Sequence, residues 1–376
     1  MSRIIVLSYD YPPNSGGISR LASAAVGELA RRGYEVEVLT LASDAQAGLS
    51  RPAVSTVVVP RGGLGRDLAT FCYLRRLAGD SPILTTVWNP EATLAWLARR
   101  RRVTILAHGN EVMPYAVGKT SGLKGRLRRH ILGAAHAVVC NSGYTEKLVQ
   151  RLNPNAKTVV IHPAVDASSF TRQHDTHTTR KYFGLPMDKR LVLSVSRLDA
   201  YKGHDVVLRA LARLPRELRS RLHYVIAGQG PGLLVLQTMV EELGLTDDVS
   251  WLGFVEDENL PALYASVDLF ALCTREDTGT CRVEGFGMVF LEAQAAGLAV
   301  LGTRAGGIPD AIKEGEGGWL VPEDDVCAVT ALLQQLAEST ATFIQQGILG
   351  RERVLREATW KQYVDQLLAV VYEERG

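Results

Sequence analysis

The chain has 376 residues, of which 46% are hydrophobic and 22% charged, with a formal net charge of +2. This length exceeds a single typical core and suits two domains, and the ordinary composition excludes a disordered or fibrous protein. The near-neutral total hides an asymmetry between the halves. Residues 1–168 carry 21 Lys and Arg against 11 Asp and Glu, a balance of +10, which leaves 21 against 29, or −8, for the remainder.

The opening stretch, MSRIIVLSYDYPP, lacks the apolar core and the small-residue cleavage site of a signal peptide. No run of about 18 apolar residues occurs, so no membrane-spanning helix is predicted. We therefore expect a cytoplasmic protein, attached at most peripherally to the inner face of a membrane. The five cysteines form no CxxC pair, and we expect reduced, mostly buried thiols.

Short apolar runs alternate with helical patterns along the chain, which predicts parallel α/β sheets, because continuous apolar strands are buried on both faces. The polar stretch 166–189 has no sustained period and is the predicted domain boundary. The tail, 356–376, has apolar residues near helical spacing and predicts a closing amphipathic helix. The predicted strands of the two halves are RIIVLSYD, YEVEVLTL, VSTVVVP, SPILTTVW, VTILAHG, AHAVVCNS and AKTVVIHP, then RLVLSVSRL, LHYVIAGQG, DVSWLGFV, VDLFALC and LAVLGTR.

Two features of the first half lie just after predicted strands, where doubly wound sheets bind their ligands. Gly16 and Gly17 precede an amphipathic helix, and paired glycines let the backbone approach an anion closely. A plain tight turn explains this pair equally well. His108 follows the strand VTILAHG, and there a structural histidine and a catalytic one are equally consistent with the pattern.

In the second half, the stretch SVSRLDAYKGHD places Arg197 and Lys202 on a loop after a buried strand. Two cations five residues apart can converge on a pyrophosphate, the arginine through its bidentate fork and the lysine as a point charge. The alternative is a pair of solvated surface cations, since charged residues are usually exposed.

The stretch CRVEGFGMVFLEAQAAGLAV holds two carboxylates, Glu284 and Glu292, around a glycine turn. A helix that starts near Gly287 leaves Glu284 in the preceding loop, and eight helical residues rise about 12 Å, the span from the hexose to the ribose of a nucleotide sugar. A carboxylate accepts two hydroxyl hydrogens, which suits vicinal diols. The alternative is two ordinary helix acids, but the apolar neighbours of Glu292 argue against an exposed face.

Two other patterns do not support the functions that they resemble. In YVIAGQGPGLL a dinucleotide fingerprint requires its third glycine at position 233, which is leucine, so hydride transfer loses most of its support. The acids of PEDDV precede a helical stretch that starts at Val326, which favours helix capping over a metal site. No metal site is predicted.

Taken together, the ordered motifs SRLDAYKG, VIAGQGPG, LPALYASVDLFALC, EGFGMVFLEAQAAGLAV and GGIPDAI resemble glycosyltransferase family 4. The resemblance implies the α/β GT-B fold, with two Rossmann-like doubly wound domains that face each other across a cleft. Residues 1–167 would bind the acceptor, 168–357 would bind the nucleotide-sugar donor, and helix 358–376 would pack back onto the first domain. The loop TREDTGTCRV is longer than the common loop of the family. It resembles the loop of the branch that contains the phosphatidylinositol mannoside mannosyltransferases, which favours a mannose donor.

The resemblance also implies roles for the candidate residues. Glu284 is expected to bind the hydroxyls of the donor hexose and Glu292 the ribose diol, while Arg197 and Lys202 hold the diphosphate. The glycine loop is expected to approach the same phosphates, and His108 to lie near the transferred sugar. Catalysis is thus assigned to His108, Arg197, Lys202 and Glu284, and donor binding to Gly16, Gly17, Arg197, Lys202, Glu284, Phe286, Gly287, Met288, Val289 and Glu292.

The implied reaction moves a hexose from a GDP- or UDP-linked donor to a hydroxyl of a lipid-linked, glycan or small-molecule acceptor. It proceeds with retention at the anomeric carbon and without a metal or other cofactor, and domain closure is expected to assemble the site. A sugar-nucleotide epimerase of the same architecture is the alternative. A noncatalytic binding module has less support, and no nucleic-acid partner is expected, since no reader motif is present.

Basic clusters in the first half indicate a possible partner of another kind. Cations beside apolar residues on a helix can attach to an anionic membrane surface, at about 1 kcal/mol per residue. A solvated face or an attraction for a phosphorylated acceptor would explain the same pattern. The cations are Lys119, Lys124, Arg126, Arg128 and Arg129 in one cluster and Arg99 to Arg102 in the other.

Overall fold

The computed structural model describes residues 3–14, 16–41, 53–113, 122–170 and 175–373. The chain divides into two compact units. The first unit comprises 1–164, 279–281 and 360–376, and the second comprises 165–278 and 282–359.

The first unit contains a parallel sheet, and each of the seven predicted apolar runs of the first half supplies one strand. The strands are β1 (Arg3–Leu7), β2 (Glu35–Leu41), β3 (Val54–Val59), β4 (Ile83–Thr85), β5 (Val103–Ala107), β6 (Ala137–Cys140) and β7 (Thr158–Val160). They lie in the order β3-β2-β1-β4-β5-β6-β7. The helices between them are α1 (Gly17–Arg31), α2 (Gly63–Arg76), α3 (Thr93–Leu97), α4 (Leu123–Ala134) and α5 (Gly143–Leu152).

The second unit contains a six-stranded parallel sheet. Its strands are β8 (Arg190–Val195), β9 (Leu222–Ala227), β10 (Val249–Gly253), β11 (Leu269–Leu272), β12 (Val300–Thr303) and β13 (Gly318–Val321). Their order is β10-β9-β8-β11-β12-β13. Its helices are α6 (Thr176–Tyr182), α7 (His204–Arg213), α8 (Arg216–Arg219), α9 (Leu233–Glu242), α10 (Leu260–Ala265), α11 (Met288–Ala295), α12 (Ile308–Ala311), α13 (Val326–Glu338) and α14 (Ala341–Glu357).

The structure differs from the predicted elements in two places. Strand β13 was not predicted, because its four residues follow directly on glycines and lack an extended apolar run. Helix α6 lies inside the stretch predicted as an irregular boundary. Its cap, Asp175, accepts hydrogen bonds from the amides of His177 and Thr178, and its Thr-rich sequence concealed the helical period.

The closing helix, α15 (Trp360–Tyr372), is shorter than its predicted span because residues 356 and 357 end α14. It packs within the first unit through hydrogen bonds as well as apolar contacts. Arg32 Nη1 donates to Asp365 Oδ1 over 2.5 Å, and the His136 imidazole bonds the carbonyl of Val370 over 3.0 Å.

The five cysteines are free thiols. Only Cys140 and Cys273 are buried, so the expectation of mostly buried thiols is wrong for the other three, Cys72, Cys281 and Cys327. Across the described ranges, no helix has both the length and the apolar character needed to cross a bilayer.

In each sheet the direction in which successive strands are added reverses at a switch point. This point lies between β1 and β4 in the first unit and between β8 and β11 in the second. Loops that leave the carboxyl ends of switch-point strands border the crevice where open α/β sheets bind ligands. Gly16 follows β1, Arg197 and Lys202 follow β8, and Glu284 follows β11. The topology therefore brings the candidate residues of each unit to the edge of its own sheet where binding is expected.

At the switch point of the first unit a buried carboxylate ties two strand ends together. Glu91 Oε1 accepts a hydrogen bond from the amide of Tyr9, after β1, over 2.9 Å. Its Oε2 accepts from the amides of Thr86 and Val87, after β4, over 2.7 and 3.1 Å. Burial raises the pKa of Glu91 to about 7, although these donors act in the opposite direction.

This arrangement predicts that stability falls as pH rises. The pKa of Glu91 is about 7 in the folded protein against a reference of 4.5, so the folded state holds the proton more tightly across that interval. Between pH 4.5 and 7 the free energy of unfolding of the wild type should fall by roughly 1 to 3 kcal/mol relative to that of Glu91→Gln, because the glutamine of that variant does not titrate. Thermal unfolding of both proteins at pH 5 and pH 8 measures this, and an offset that is the same at both values would contradict it.

Candidate active site

The loop after β8, residues 197–203, carries two of the predicted cations and is held by close backbone packing. The amide of Leu198 donates to the carbonyl of Gln229, and that of Lys202 donates to Asp199, each over 3.0 Å. Gly203 ends the loop with a φ of 72°, and a Cβ at this position would lie 1.7 Å from the carbonyl oxygen of Cys273. Only glycine fits, because both the backbone conformation and the close approach exclude a side chain.

Lys202 and Glu284 form an ion pair across the switch point of the second unit. Lys202 Nζ lies 2.6 Å from Glu284 Oε2, and their side chains are 12% and 18% exposed. Burial disfavours the charged ammonium, but Glu284 and Tyr201 together outweigh burial, and the pKa of Lys202 is raised above its ordinary value. The two residues were expected to bind different parts of the donor, and their contact was not predicted.

Arg197 lies at the start of the same loop, yet its side chain is 66% exposed. Its Nε lies 3.3 Å from Asp199 Oδ2, and the other oxygen of Asp199 pairs with Arg282 Nη1 over 2.8 Å. Arg282 belongs to the long loop before Glu284 that sequence analysis singled out. The structure therefore links the two loops through Asp199, while Arg197 reaches toward solvent instead of joining the Lys202–Glu284 pair.

The segment from Glu284 to α11 has the form that its sequence predicts. Gly287 has a φ of 89° and occupies the N-cap of α11, where it offers no side chain to bond the first amides. Met288 and Val289, the first two residues of the helix, are half-buried. The carbonyl of Glu284 accepts a hydrogen bond from the amide of Gly307 over 2.9 Å, so the GGIP motif fixes the approach to the helix.

Glu292 is buried on the second turn of α11, as its apolar neighbours indicate. Tyr264, on α10, donates its hydroxyl to Glu292 Oε2 over 3.1 Å. Tyr264 lies within the motif LPALYASVD and was not predicted, because no local pattern relates it to a residue 28 positions away. Phe286 is also buried, so its side chain belongs to the core and only its backbone can serve the predicted role.

In the first unit, His108 follows β5 and its backbone amide donates to Glu111 Oε1 over 2.6 Å. Burial lowers the pKa of the His108 imidazole, against an opposing influence of Glu111. Its Nε2 is buried and has no hydrogen-bond partner among the described residues.

Gly16 is the N-cap of α1 and Gly17 its first residue, which matches the predicted start of that helix.

The basic clusters of the first unit are only partly exposed. Arg128 is fully buried and donates through Nη1 to the carbonyl of Met113 over 2.9 Å, so its assignment to a surface cluster is wrong. Arg100 and Arg102 are half-buried and donate to backbone carbonyls. Lys119 lies outside the described residues. The exposed members are Arg99, Arg101, Lys124, Arg126 and Arg129.

A cavity of about 250 Å³ lies beside the 197–203 loop. Asp199 and His204 border it on one side, and apolar residues of α9, including Val235 and Met239, on the other. Neither Lys202, Glu284 nor Glu292 lines it. This cavity is therefore separate from the predicted donor groups.

Within the described part of the chain, no three His, Cys, Asp or Glu side chains are placed to hold a metal ion.

Two family models match the chain in succession. Residues 15–169 match the model described as Glycosyltransferase Family 4, and residues 175–347 match Glycosyl transferases group 1. The chain is similar to the GDP-mannose-dependent alpha-(1-6)-phosphatidylinositol monomannoside mannosyltransferase of Mycolicibacterium smegmatis, with 32% identity over 95% of each chain. It is also similar to the D-inositol 3-phosphate glycosyltransferase of that organism, with 29% identity over 98% of this chain and 90% of the other.

Solved structures share the fold. HepE of Anabaena, in complex with UDP and glucose, matches with a TM-score of 0.82 and 19% identity over 99% of both chains. The sucrose-phosphate synthase of Thermosynechococcus elongatus matches with a TM-score of 0.80 and 22% identity over 98% of both chains. These neighbours have the GT-B fold, which confirms the predicted fold class.

Gly203→Ala tests the close approach of the 197–203 loop to β11. The substitution should lower the melting temperature by several degrees and abolish nucleotide binding, because the methyl group collides with the carbonyl of Cys273. Gly244→Ala is the matched control, since Gly244 has a similar φ of 64° but nothing within 4 Å of an added Cβ. Calorimetric unfolding and nucleotide titration measure both variants, and equal losses in the two would contradict the packing argument.

Proposed function

This chain belongs to glycosyltransferase family 4, and from that membership we propose that it transfers mannose from GDP-mannose to a hydroxyl of an inositol-containing lipid. The relatives at 31 to 32% identity are named as GDP-mannose-dependent enzymes that act on a phosphatidylinositol mannoside. A soluble inositol phosphate is the second candidate acceptor, because relatives at 29 to 30% identity are named for inositol 3-phosphate. Both names share an inositol ring, and we take that ring as the recognised unit.

The Lys202–Glu284 pair, beside the start of α11, is the observation that carries this proposal. A half-buried ammonium offers a strong donor to a diphosphate oxygen. Glu284 Oε1 accepts no hydrogen bond from the described residues, so it can accept one from a sugar hydroxyl. Glu292, oriented by Tyr264, is the acceptor for the ribose diol.

The proposed chemistry retains the anomeric configuration. The relatives make an α linkage, according to their name, from a donor whose own anomeric bond is α. The bond between the anomeric carbon and the β-phosphate oxygen breaks as the acceptor oxygen bonds to the same face of that carbon. The acceptor proton passes to the departing diphosphate. No protein nucleophile is required in this scheme.

The charge that develops on the diphosphate is stabilised by cations and by a helix terminus at one edge of the sheet. Lys202 and Arg197 supply positive charge, and the first amides of α11 point their dipoles in the same sense. We propose that these groups suffice without a divalent metal.

The epimerase alternative receives no support from the comparisons, since the matching models and the named relatives are glycosyltransferases. An epimerase would convert the donor alone. A transferase of the proposed kind should release little nucleotide until an acceptor hydroxyl is added.

The function is tested by incubating the purified protein with GDP-mannose or UDP-glucose, with and without phosphatidylinositol monomannoside or inositol 3-phosphate. We expect GDP release that depends on the lipid acceptor and persists in EDTA. Lys202→Ala should lower turnover by about 10²- to 10³-fold, because an electrostatic partner of the transition state is lost.

Lys189→Ala is the matched control, because Lys189 forms a comparable half-buried pair with Asp248 over 3.0 Å elsewhere in the same unit. Absence of transfer to either acceptor, together with no binding of GDP or UDP, would overturn the proposal. Full turnover by Lys202→Ala would remove this lysine from the mechanism, and equal losses in both lysine variants would point to general destabilisation.

We further propose that the first unit attaches to anionic membranes through α3 and α4. Trp96 of α3 contacts His130 of α4 edge to face, with ring centroids 4.9 Å apart, so the two helices adjoin. Their surface combines cations with exposed apolar side chains, including Leu123 at 84% exposure. Such a surface binds lipid through both charge and apolar burial. The proposed surface comprises Trp96, Leu97, Arg99, Arg101, Leu123, Lys124, Arg126 and Arg129.

Vesicle cosedimentation tests this attachment. The wild type should bind phosphatidylglycerol vesicles and not phosphatidylcholine vesicles, and Lys124→Glu/Arg129→Glu should weaken binding by at least tenfold, because about 1 kcal/mol per cation is lost and repulsion is added. Arg75→Glu/Arg76→Glu makes the same change in charge on α2 and should have a smaller effect. Equal losses from both double variants would show a dependence on total charge instead of on this surface.

A further inference from the structure

A chain of buried hydrogen bonds runs beneath the 197–203 loop. Ser194 donates its hydroxyl to the carbonyl of Ala271, and Tyr224 Oη lies 2.7 Å from Ser194 Oγ. His204 Nδ1 lies 2.9 Å from Tyr224 Oη, and His204 Nε2 lies 2.9 Å from Ser196 Oγ. The chain thereby connects three adjacent strands, β11, β8 and β9, with the first residue of α7.

The direction of every bond follows from the carbonyl at one end, which can only accept. Ser194 gives its single hydroxyl hydrogen to that carbonyl, so it must accept from Tyr224. Tyr224 has then used its own hydrogen and must accept from His204 Nδ1–H. A neutral imidazole with its proton on Nδ1 has an acceptor at Nε2, so Ser196 donates to it.

The charge state of His204 agrees with this order. Burial lowers the pKa of His204 to about 4, and the nearby Lys202 acts in the same direction, so the ring is neutral near pH 7. Ser196 Oγ also lies 3.1 Å from the carbonyl of Arg197. The single hydrogen of Ser196 can go to only one of these two acceptors, and the contact with His204 Nε2, at 2.9 Å, is the shorter one.

Ser196 and His204 are the residues on either side of the 197–203 loop, so their hydrogen bond closes it at both ends. We infer that His204, as the neutral Nδ1–H tautomer, is a positioning residue that holds Arg197 and Lys202 where they meet the donor diphosphate. This inference rests on the proposed function for its ligand, but not for its geometry. His204 acts through the loop and not by contact with the substrate.

A purely structural histidine would affect stability alone, and the chain contains one for comparison. His223 is also buried, lies on β9 next to Tyr224, and bonds a serine, Ser250, over 2.8 Å. Burial lowers its pKa to about 4 as well. Its partner lies on β10, away from the 197–203 loop, so His223→Leu is the matched control for His204→Leu.

The first experiment measures what the diphosphate adds to binding. Guanosine and GDP, or uridine and UDP, are titrated against the wild type, Ser196→Ala, His204→Leu and His223→Leu. In Ser196→Ala and His204→Leu the gain in affinity from nucleoside to diphosphate should fall at least about tenfold, while nucleoside affinity stays unchanged. The gain should remain in His223→Leu. Ser196→Ala removes a single hydroxyl, so the inference is tested even if His204→Leu fails to fold.

The second experiment needs no ligand. Two-bond proton–nitrogen correlation spectra of the imidazoles should show the proton of His204 on Nδ1, and hydrogen exchange in residues 197–203 should accelerate at least about tenfold in Ser196→Ala but not in His223→Leu. A proton on Nε2, or unchanged exchange, would overturn the inference. If the wild type binds neither nucleotide while these results hold, the proposed function fails and the positioning of the loop stands.

Discussion

The proposed donor site depends on an ammonium and a carboxylate that share the edge of one sheet. Lys202 comes from the loop after β8 and Glu284 from the segment after β11, and their contact bridges the two strands at which the sheet order reverses. Removing two charges from water costs more than most such pairs recover, so a partly buried ion pair is weak evidence for a role in stability. Its position at the switch point, where ligands bind, explains its presence better.

Much of this arrangement could be predicted from sequence, because the relevant signals are local. Apolar runs locate parallel strands, and residues just after them must reach the ligand edge of the sheet. Arg197, Lys202 and Glu284 were placed at that edge in this way, and the apolar neighbours of Glu292 correctly indicated burial. Strand β13 and helix α6 were missed because one is four residues long and the other has a polar sequence.

The partners of these residues could not be predicted, because they come from distant parts of the chain. Tyr264 bonds Glu292 from a separate helix, and Tyr224 bonds His204 from a neighbouring strand. Arg128 is a different case, since a usable signal existed. It precedes Ile131 by three residues and Leu132 by four, so helical spacing places all three on one face, and all three are buried. Arg128 was predicted to be a surface cation because it was counted with the neighbouring charged residues. The helical period would have placed it on the buried face of α4.

In the proposed donor site, the acid partners of the cations would give a means of selection. The second half of the chain is acidic overall, and each donor-site cation already has a carboxylate beside it, Asp199 for Arg197 and Glu284 for Lys202. A simple anion that draws Lys202 away leaves the half-buried Glu284 without its partner, which is costly. A nucleotide sugar compensates, since its hydroxyls can donate to that carboxylate while its diphosphate takes the ammonium. In the proposed site, recognition of the phosphate would thereby be coupled to recognition of the sugar, and free phosphate or nucleotide alone would satisfy only half of the exchange.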